Sequence, residues 1–130
     1  MKFSICFIVI LFFYTSQLVS DNIYSNNGYF GNFQNGRLYG KSGILFDISN
    51  DGRIYGPSGY LGQINKQGYV YGRNGYLGQV EESGRVYDPK GFAGSIDRDG
   101  RIYGRNGYLG QGANVPRNVL AIVFFFLELL

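Results

Sequence analysis

The sequence predicts an all-β protein in which tandem short β-hairpins close into a shallow, nearly symmetrical barrel or disc. A sixteen-residue unit recurs through residues 21–111 in six copies, the first of which is one residue short. Each copy alternates short β-branched and aromatic runs with Gly-containing turn sequences. The chain has 21 Gly residues, mostly periodic. Each would cost about 1 kcal/mol inside a helix, so a helical repeat is excluded.

Two strands are predicted in every copy. In the copy that begins at Gly52, Ile54 and Tyr55 hold the third and fourth positions, and an aliphatic residue followed by Tyr holds them in all six copies. Residues 60–64 are the second predicted strand, because the run is aromatic and aliphatic and too short for a helix. The turn between them ends at Gly59 and its eighth-position equivalents. In other copies it contains Asn-Gly, which we expect to supply the positive φ angles of a tight hairpin.

A second turn joins each copy to the next, as in Asn50-Asp51-Gly52. Gly at the first position of each following copy predicts a type I turn that ends in the left-handed region. The paired acids Glu81/Glu82 and Asp97/Asp99 fall in these turns. We therefore interpret them as solvated turn residues rather than as an acid/base pair.

A further Gly lies inside the second strand, at the eleventh position of every copy except the second, which has Phe46. A strand-interior Gly marks a bulge, a bend or the close approach of another segment. Its recurrence once per hairpin predicts that neighbouring hairpins crowd around a central axis. Closure of the ring would also remove exposed strand edges.

The two ends of the chain are predicted to lie outside the repeat domain of residues 21–111. Residues 1–20 combine Lys2, an apolar run and a polar end, which is typical of a signal peptide, with a retained membrane anchor as the alternative. Residues 112–130 are a linker and an apolar tail. The apolar part is shorter than the roughly 20 residues of a membrane-spanning helix. An interfacial helix, a segment capping the barrel, a lipid-anchor signal and a tail without function all remain open.

The composition argues against catalysis. The chain has no His, and its single Cys is Cys6, within the predicted signal peptide. Nucleophilic triads and thiolate or imidazole metal sites therefore lack their residues. We predict a protein that is not an enzyme and has no metal or cofactor. The formal net charge of +3 is small for a nucleic-acid-binding protein, so nucleic acid is not an expected partner.

Basic residues at two repeat positions are the candidate binding site. As a binding site they would form a basic rim for phosphates or lipid headgroups, whereas the interpretation that we favour is a solvated rim that keeps a Tyr-rich protein soluble. The second position holds Arg37, Arg53, Arg85 and Arg101, and the sixth holds Arg73, Arg105 and Lys41. The Tyr residues at the fourth and ninth positions suit stacking on sugars or bases. Core and cross-strand packing explains them better.

The unit Gly-Arg-Ile-Tyr-x-x-x-Gly-Tyr-x-Gly-x-Ile resembles the repeat of the β-flower families across residues 21–111. The resemblance implies short hairpins in near-rotational symmetry around a shallow barrel. By analogy with Tubby-like and scramblase-like barrels it also implies lipid or membrane association. We therefore expect a non-catalytic secreted or cell-envelope module that binds lipid, a small ligand or a partner protein. The alternative is a structural protein that self-assembles through its aromatic face.

Overall fold

The computed structural model describes residues 21–130 and contains a closed barrel of antiparallel strands. The strands follow one another around the ring in chain order, and the first pairs with the last. Tandem hairpins in a closed barrel, as the sequence predicts, are therefore confirmed. The strands are β1 (Asn22–Ser25), β2 (Gly28–Gln34), β3 (Arg37–Gly40), β4 (Gly43–Ile48), β5 (Arg53–Gly56), β6 (Gly59–Ile64), β7 (Tyr69–Gly72), β8 (Gly75–Val80), β9 (Arg85–Asp88), β10 (Gly91–Ile96), β11 (Arg101–Gly104) and β12 (Gly107–Gln111).

Every copy of the repeat forms one hairpin with the same irregularity. In the β5–β6 hairpin, Tyr55 pairs with Tyr60 and Ile54 pairs with Gly62, so Leu61 is an extra residue between the two pairs. The same register shift occurs in all six hairpins. Such bulges bend a strand and increase its twist. Six equivalent bulges therefore help to curve the wall into a closed ring.

The turns inside the copies lie at one end of the barrel, which we call the hairpin end. Its eighth-position Gly residues have φ angles between 106° and 127°, a region that other residues rarely adopt. The expectation that Asn-Gly supplies positive φ at both residues is wrong for these turns. Among the described residues, Asn35 alone has a positive φ without being Gly. Gly by itself therefore provides the left-handed conformation there.

The turns between copies lie at the opposite end, which we call the connection end. The Gly52 N–H donates to the Ser49 carbonyl oxygen at 3.0 Å, and Gly52 has a φ of 89°, as expected for a type I turn followed by Gly. The shorter first copy has a tighter connection. There Gln34 pairs directly with Arg37, and Asn35 and Gly36 both have positive φ. This two-residue turn accounts for the missing residue.

Acidic and amide side chains close several of the connection turns. The Oδ1 atom of Asp97 accepts hydrogen bonds from the backbone N–H groups of Asp99 and Arg101, both at 2.9 Å. The Asn65 Oδ1 atom accepts equivalent bonds from residues 67 and 69. These contacts support the interpretation of Asp97 as a turn residue.

A C-terminal helix fills the interior of the barrel. It consists of α1 (Arg117–Ala121) and a π-helical turn (Ile122–Phe126). Five of its residues are almost completely buried and pack against the inward third-position residues of the hairpins: Val119, Leu120, Ala121, Ile122 and Phe126. Of the structures that the sequence leaves open for the tail, a segment that packs on the barrel is therefore the one observed. Within residues 21–130, no helix is long and apolar enough to cross a membrane.

The eleventh-position Gly residues provide the space for this helix. A Cβ atom at Gly94 would lie 2.0 Å from the Tyr103 carbonyl oxygen and 2.8 Å from the Phe125 ring. Three other copies bring a helix or tail side chain equally close to the Gly; these contacts are Gly110 with Phe124, Gly78 with Phe126 and Gly62 with Leu130. The crowding around an axis that the sequence predicts is thus observed. The nearest atom is a Tyr carbonyl oxygen of the neighbouring hairpin, and side chains of residues 112–130, which share one core with the repeats, come next.

Phe46 takes the place of Gly in the second copy. Its side chain is completely buried in the same core cluster as the helix. Phe46 therefore supplies from the barrel wall an aromatic ring of the kind that Phe124, Phe125 and Phe126 supply from the helix to other copies.

Candidate functional site

The turns at the hairpin end of the barrel carry basic side chains. Its turns carry four basic residues, which are Lys41, Arg73, Lys90 and Arg105. The acidic side chains at this end are Asp88 and Glu128. Among the tail residues, Leu129 is exposed by 49%, whereas Leu130 packs against Gly62 of the barrel wall.

Two clefts between neighbouring hairpin turns combine apolar and basic side chains. One has a volume of about 380 Å³ and is lined by Phe30, Leu45 and Lys41, among others. The other has a volume of about 310 Å³, and its lining includes Phe124 and Arg105. Each cleft therefore offers apolar contacts beside one basic side chain, and in the second cleft that side chain is paired with Asp88, which lines the same cleft.

Arg105 is the one of these four basic residues that forms an ion pair within residues 21–130. Its Nη2 atom lies 3.0 Å from Oδ1 of Asp88. Burial raises the pKa of the Asp88 carboxyl, but hydrogen bonds from the Lys90 backbone N–H and from Arg105 outweigh burial and hold the pKa below its ordinary value. Lys41, Arg73 and Lys90 have no ion pair among the described residues, although the Lys90 ammonium group attracts the Asp88 carboxylate from beyond ion-pair distance.

The connection end carries acidic and basic side chains in nearly equal number. Its turns and the residues that flank them hold six acidic side chains (Asp21, Asp51, Glu81, Glu82, Asp97 and Asp99) and three basic ones (Lys66, Arg98 and Arg117), and four arginines (Arg37, Arg53, Arg85 and Arg101) begin the strands beside these turns. A polar cleft of about 820 Å³ lies beside the start of the C-terminal helix, where Arg117 Nη1 donates to the Glu82 carbonyl oxygen at 2.6 Å. Among residues 21–130, no three potential metal-ligating side chains cluster.

The six arginines of the predicted basic rim fall into two separate groups. Arg37, Arg53, Arg85 and Arg101 begin odd-numbered strands near the connection end, whereas Arg73 and Arg105 lie in the hairpin-end turns. The structure does not bring the two groups together, because the second and sixth positions lie on either side of a four-residue strand. Arg53 contacts Asp51 at 3.6 Å, and Arg37 Nε lies 3.3 Å from Asp47 Oδ1 without hydrogen-bond alignment.

Two residues of the hairpin end were not predicted. Lys90 occupies the seventh position of its copy rather than the sixth, so it escapes a position-by-position comparison of the repeats. Leu129 lies in the tail, which the sequence separates from the repeat domain. Charge counted by turn, instead of by repeat position, would have found Lys90.

The Tyr residues of the fourth and ninth positions lie on the outer wall of the barrel. In five hairpins they form edge-to-face ring pairs with centroids 5.7–5.9 Å apart, with Phe92 replacing Tyr in one. Tyr55 is exposed by 38% and Tyr76 by 55%. Cross-strand packing is therefore confirmed, but a core position is wrong for these rings. Aliphatic side chains and the C-terminal helix occupy the interior instead.

These features define a class of protein, a closed barrel of six hairpins around a C-terminal helix, with basic side chains in the turns of its hairpin end. No family model, no curated protein and no solved structure matches the chain. Membership of the β-flower families therefore stays a prediction.

Proposed function

We propose that this protein is a non-catalytic, secreted or envelope-associated module that binds anionic lipid surfaces through its hairpin end. The observation that carries the proposal is the difference in charge between the two ends of the barrel. The hairpin-end turns carry four basic side chains, with Asp88 beside them, whereas acidic and basic side chains nearly balance at the connection end. An anionic surface therefore attracts the hairpin end more strongly, so binding orients the barrel.

Electrostatic attraction supplies most of the expected affinity. A basic side chain close to an anionic membrane contributes about 1 kcal/mol. Lys41, Arg73 and Lys90 form no ion pair within the described chain, so they contribute about 3 kcal/mol together. All three lie in turns at the same end of the barrel, which allows them to contact one flat surface at once.

Apolar contact adds a smaller amount. Complete burial of a Leu side chain contributes about 1.5–3 kcal/mol. Leu129 is already half buried, so its transfer into the acyl boundary contributes about 1 kcal/mol. The sum corresponds to a dissociation constant of about 1 mM. We therefore expect reversible, peripheral binding rather than permanent anchoring.

Sedimentation with vesicles tests this function. We expect the protein to bind phosphatidylglycerol-containing vesicles at low salt, to release them in 1 M salt, and to ignore phosphatidylcholine vesicles. Each of Lys41→Gln, Arg73→Gln and Lys90→Gln should weaken binding about fivefold. Arg98→Gln, at the connection end, removes the same charge from the other face and should leave binding unchanged. Equal losses in Arg98→Gln and Arg73→Gln, or equal binding to both vesicle types, would exclude an oriented lipid surface.

Self-assembly through the outer wall is the second candidate. Nine aromatic side chains on that wall are exposed by 36–55%, and contiguous exposed apolar surface is typical of interaction sites. A closed barrel has no free strand edge, so copies would associate by side-chain packing alone. Light scattering that shows a monomer at millimolar protein concentration would contradict this candidate.

A further inference from the structure

The strand register aligns outward side chains into rows on the outer wall, away from the hairpin end. In one row Arg101 pairs with Gln111, Gln111 with Tyr24, and Tyr24 with Tyr29. The row crosses four strands from β11 to β2 through the closure of the barrel. Cross-strand neighbours are about 5 Å apart, so the row is about 15 Å long.

The same register repeats the row around the barrel. Three rows begin with Arg, continue with a hydrogen-bonding side chain that is not acidic, and end with two Tyr residues. We call them the Arg rows, and they are Arg53–Gln63–Tyr71–Tyr76, Arg85–Ser95–Tyr103–Tyr108 and Arg101–Gln111–Tyr24–Tyr29. The other three rows lack one of these features, as in the row of Arg37, where Asp47 takes the second place.

Two of the Arg rows, which begin at Arg85 and Arg101, lie next to each other on the wall and have solvent-accessible side chains. Arg85 and Arg101 are exposed and form no ion pair within residues 21–130. The ring pairs at the far ends of their rows are about 40% exposed. Arg53 differs, because Asp51 lies 3.6 Å from its guanidinium. The wall around β9–β12 and β1–β2 is therefore the most open part of this surface.

We propose that the Arg rows bind an acidic saccharide chain. A guanidinium group binds a carboxylate or a sulfate with two parallel hydrogen bonds. A Gln amide both donates to and accepts from hydroxyl groups. Exposed Tyr rings pack against the C–H faces of a pyranose ring, and their hydroxyl groups bond to its substituents. Along each row the guanidinium group, the polar side chain and the Tyr rings follow one another. This order matches a chain of sugar rings in which one ring carries an acidic group.

The low density of positive charge in the Arg rows favours an acidic saccharide over a nucleic acid as the ligand. A single strand carries a negative charge on every nucleotide and is bound in a strongly basic groove. Each Arg row has one cation over its whole length, and the described wall places Asp47 and Asp51 beside two of the second-position arginines. A ligand with sparse negative charge and many hydroxyl groups matches this arrangement better. Repetition of the row then allows one chain to contact two rows at once, which raises its apparent affinity.

Calorimetry with polygalacturonate as the acidic probe and dextran as the neutral control tests the inference. We expect binding of polygalacturonate alone. The double variant Arg85→Gln/Arg101→Gln should lose about tenfold in affinity, which corresponds to about 1.4 kcal/mol. Tyr29→Leu/Tyr108→Leu should lose a similar factor although the net charge is unchanged. Tyr29→Phe/Tyr108→Phe, which keeps the rings and their packing, should retain most of the binding.

A charge-matched double variant at the hairpin end, Arg73→Gln/Lys90→Gln, is the control and should bind polygalacturonate as the wild type does. It should also lose vesicle binding, whereas the Arg-row variants keep it, so the saccharide and lipid sites are tested separately. Equal losses in both charge variants, no binding of polygalacturonate, or tighter binding of an oligothymidylate than of polygalacturonate would each overturn the inference.

Discussion

Replacement of Phe126 by Ala tests whether the C-terminal helix is the core of the barrel. Phe126 is completely buried, and its ring lies against Gly78 on the barrel wall. Loss of a buried Phe side chain removes its transfer free energy and leaves a cavity, which together cost about 3–5 kcal/mol. This loss is a large part of the roughly 5–15 kcal/mol by which domains are stable.

The whole helix is worth more than this single residue. Val119, Leu120, Ile122 and Phe126 are almost inaccessible to solvent, and burial of each contributes about 1.5–3 kcal/mol. Their combined contribution of about 6–12 kcal/mol equals the stability of an entire domain. We therefore expect that deletion of residues 117–130 leaves the six repeats unfolded.

Urea unfolding followed by far-ultraviolet circular dichroism measures the effect. At about 4 °C per kcal/mol for a chain of this size, Phe126→Ala should also lower the melting temperature by about 12–20 °C. Leu129→Ala removes an apolar group from the same segment, but a half-exposed one, and should cost less than about 1 kcal/mol. If Phe126→Ala proves too unstable to purify, Phe126→Leu should cost about 1–1.5 kcal/mol. Indistinguishable unfolding of Phe126→Ala and Leu129→Ala would refute the helix as the core.

Three further predictions follow from the wall of the barrel. Gly94→Ala should cost more than about 3 kcal/mol by urea unfolding, because its Cβ would overlap the Tyr103 carbonyl oxygen; a neutral effect would contradict the close approach. Asp88→Asn should cost about 0.5–1 kcal/mol at neutral pH. Because the pKa of Asp88 is lowered in the fold, its pairing with Arg105 stabilises the protein above the ordinary carboxyl pKa. This stabilisation is lost as the pH falls through the folded pKa, so the wild type and Asp88→Asn should become equally stable in acid. A double-mutant cycle of Tyr103→Leu and Tyr108→Leu should give a coupling free energy of unfolding of about 0.5–1.5 kcal/mol. Strictly additive effects would contradict a stabilising interaction between the two rings.

The sixteen-residue repeat is sufficient to predict the strands and turns that form the wall of the barrel. Turn residues such as Gly52 and the short alternating strands specify hairpins locally, and the strand-interior Gly62 indicates a close approach. Local signals of this kind depend on a few neighbouring residues, so they are readable in a single sequence. The binding residues were less predictable, because Arg53 and Arg73 look equivalent until strand direction places them at different ends.

The interior could not be predicted in the same way. Apolar residues of the tail suit a membrane, a barrel interior or an interface equally well, and hydrophobicity alone does not choose among them. The prediction that the Tyr side chains lie in the core is wrong for a related reason. Bulges at residues such as Leu61 direct two consecutive residues, Leu61 and Gly62, towards the interior. Tyr60 is therefore left outside, which a strict alternation does not reveal.

The position of the helix after all twelve strands in the chain has a consequence for biosynthesis. A polypeptide leaves the ribosome or a membrane pore from its N-terminus, so all twelve strands emerge before residues 117–126 are available. Until then the inward aliphatic residues of the hairpins lack the helix that they pack against, and we expect β1 and β12 to stay open to other chains. A chain that stops before residue 117 should therefore aggregate more readily than one that contains the helix.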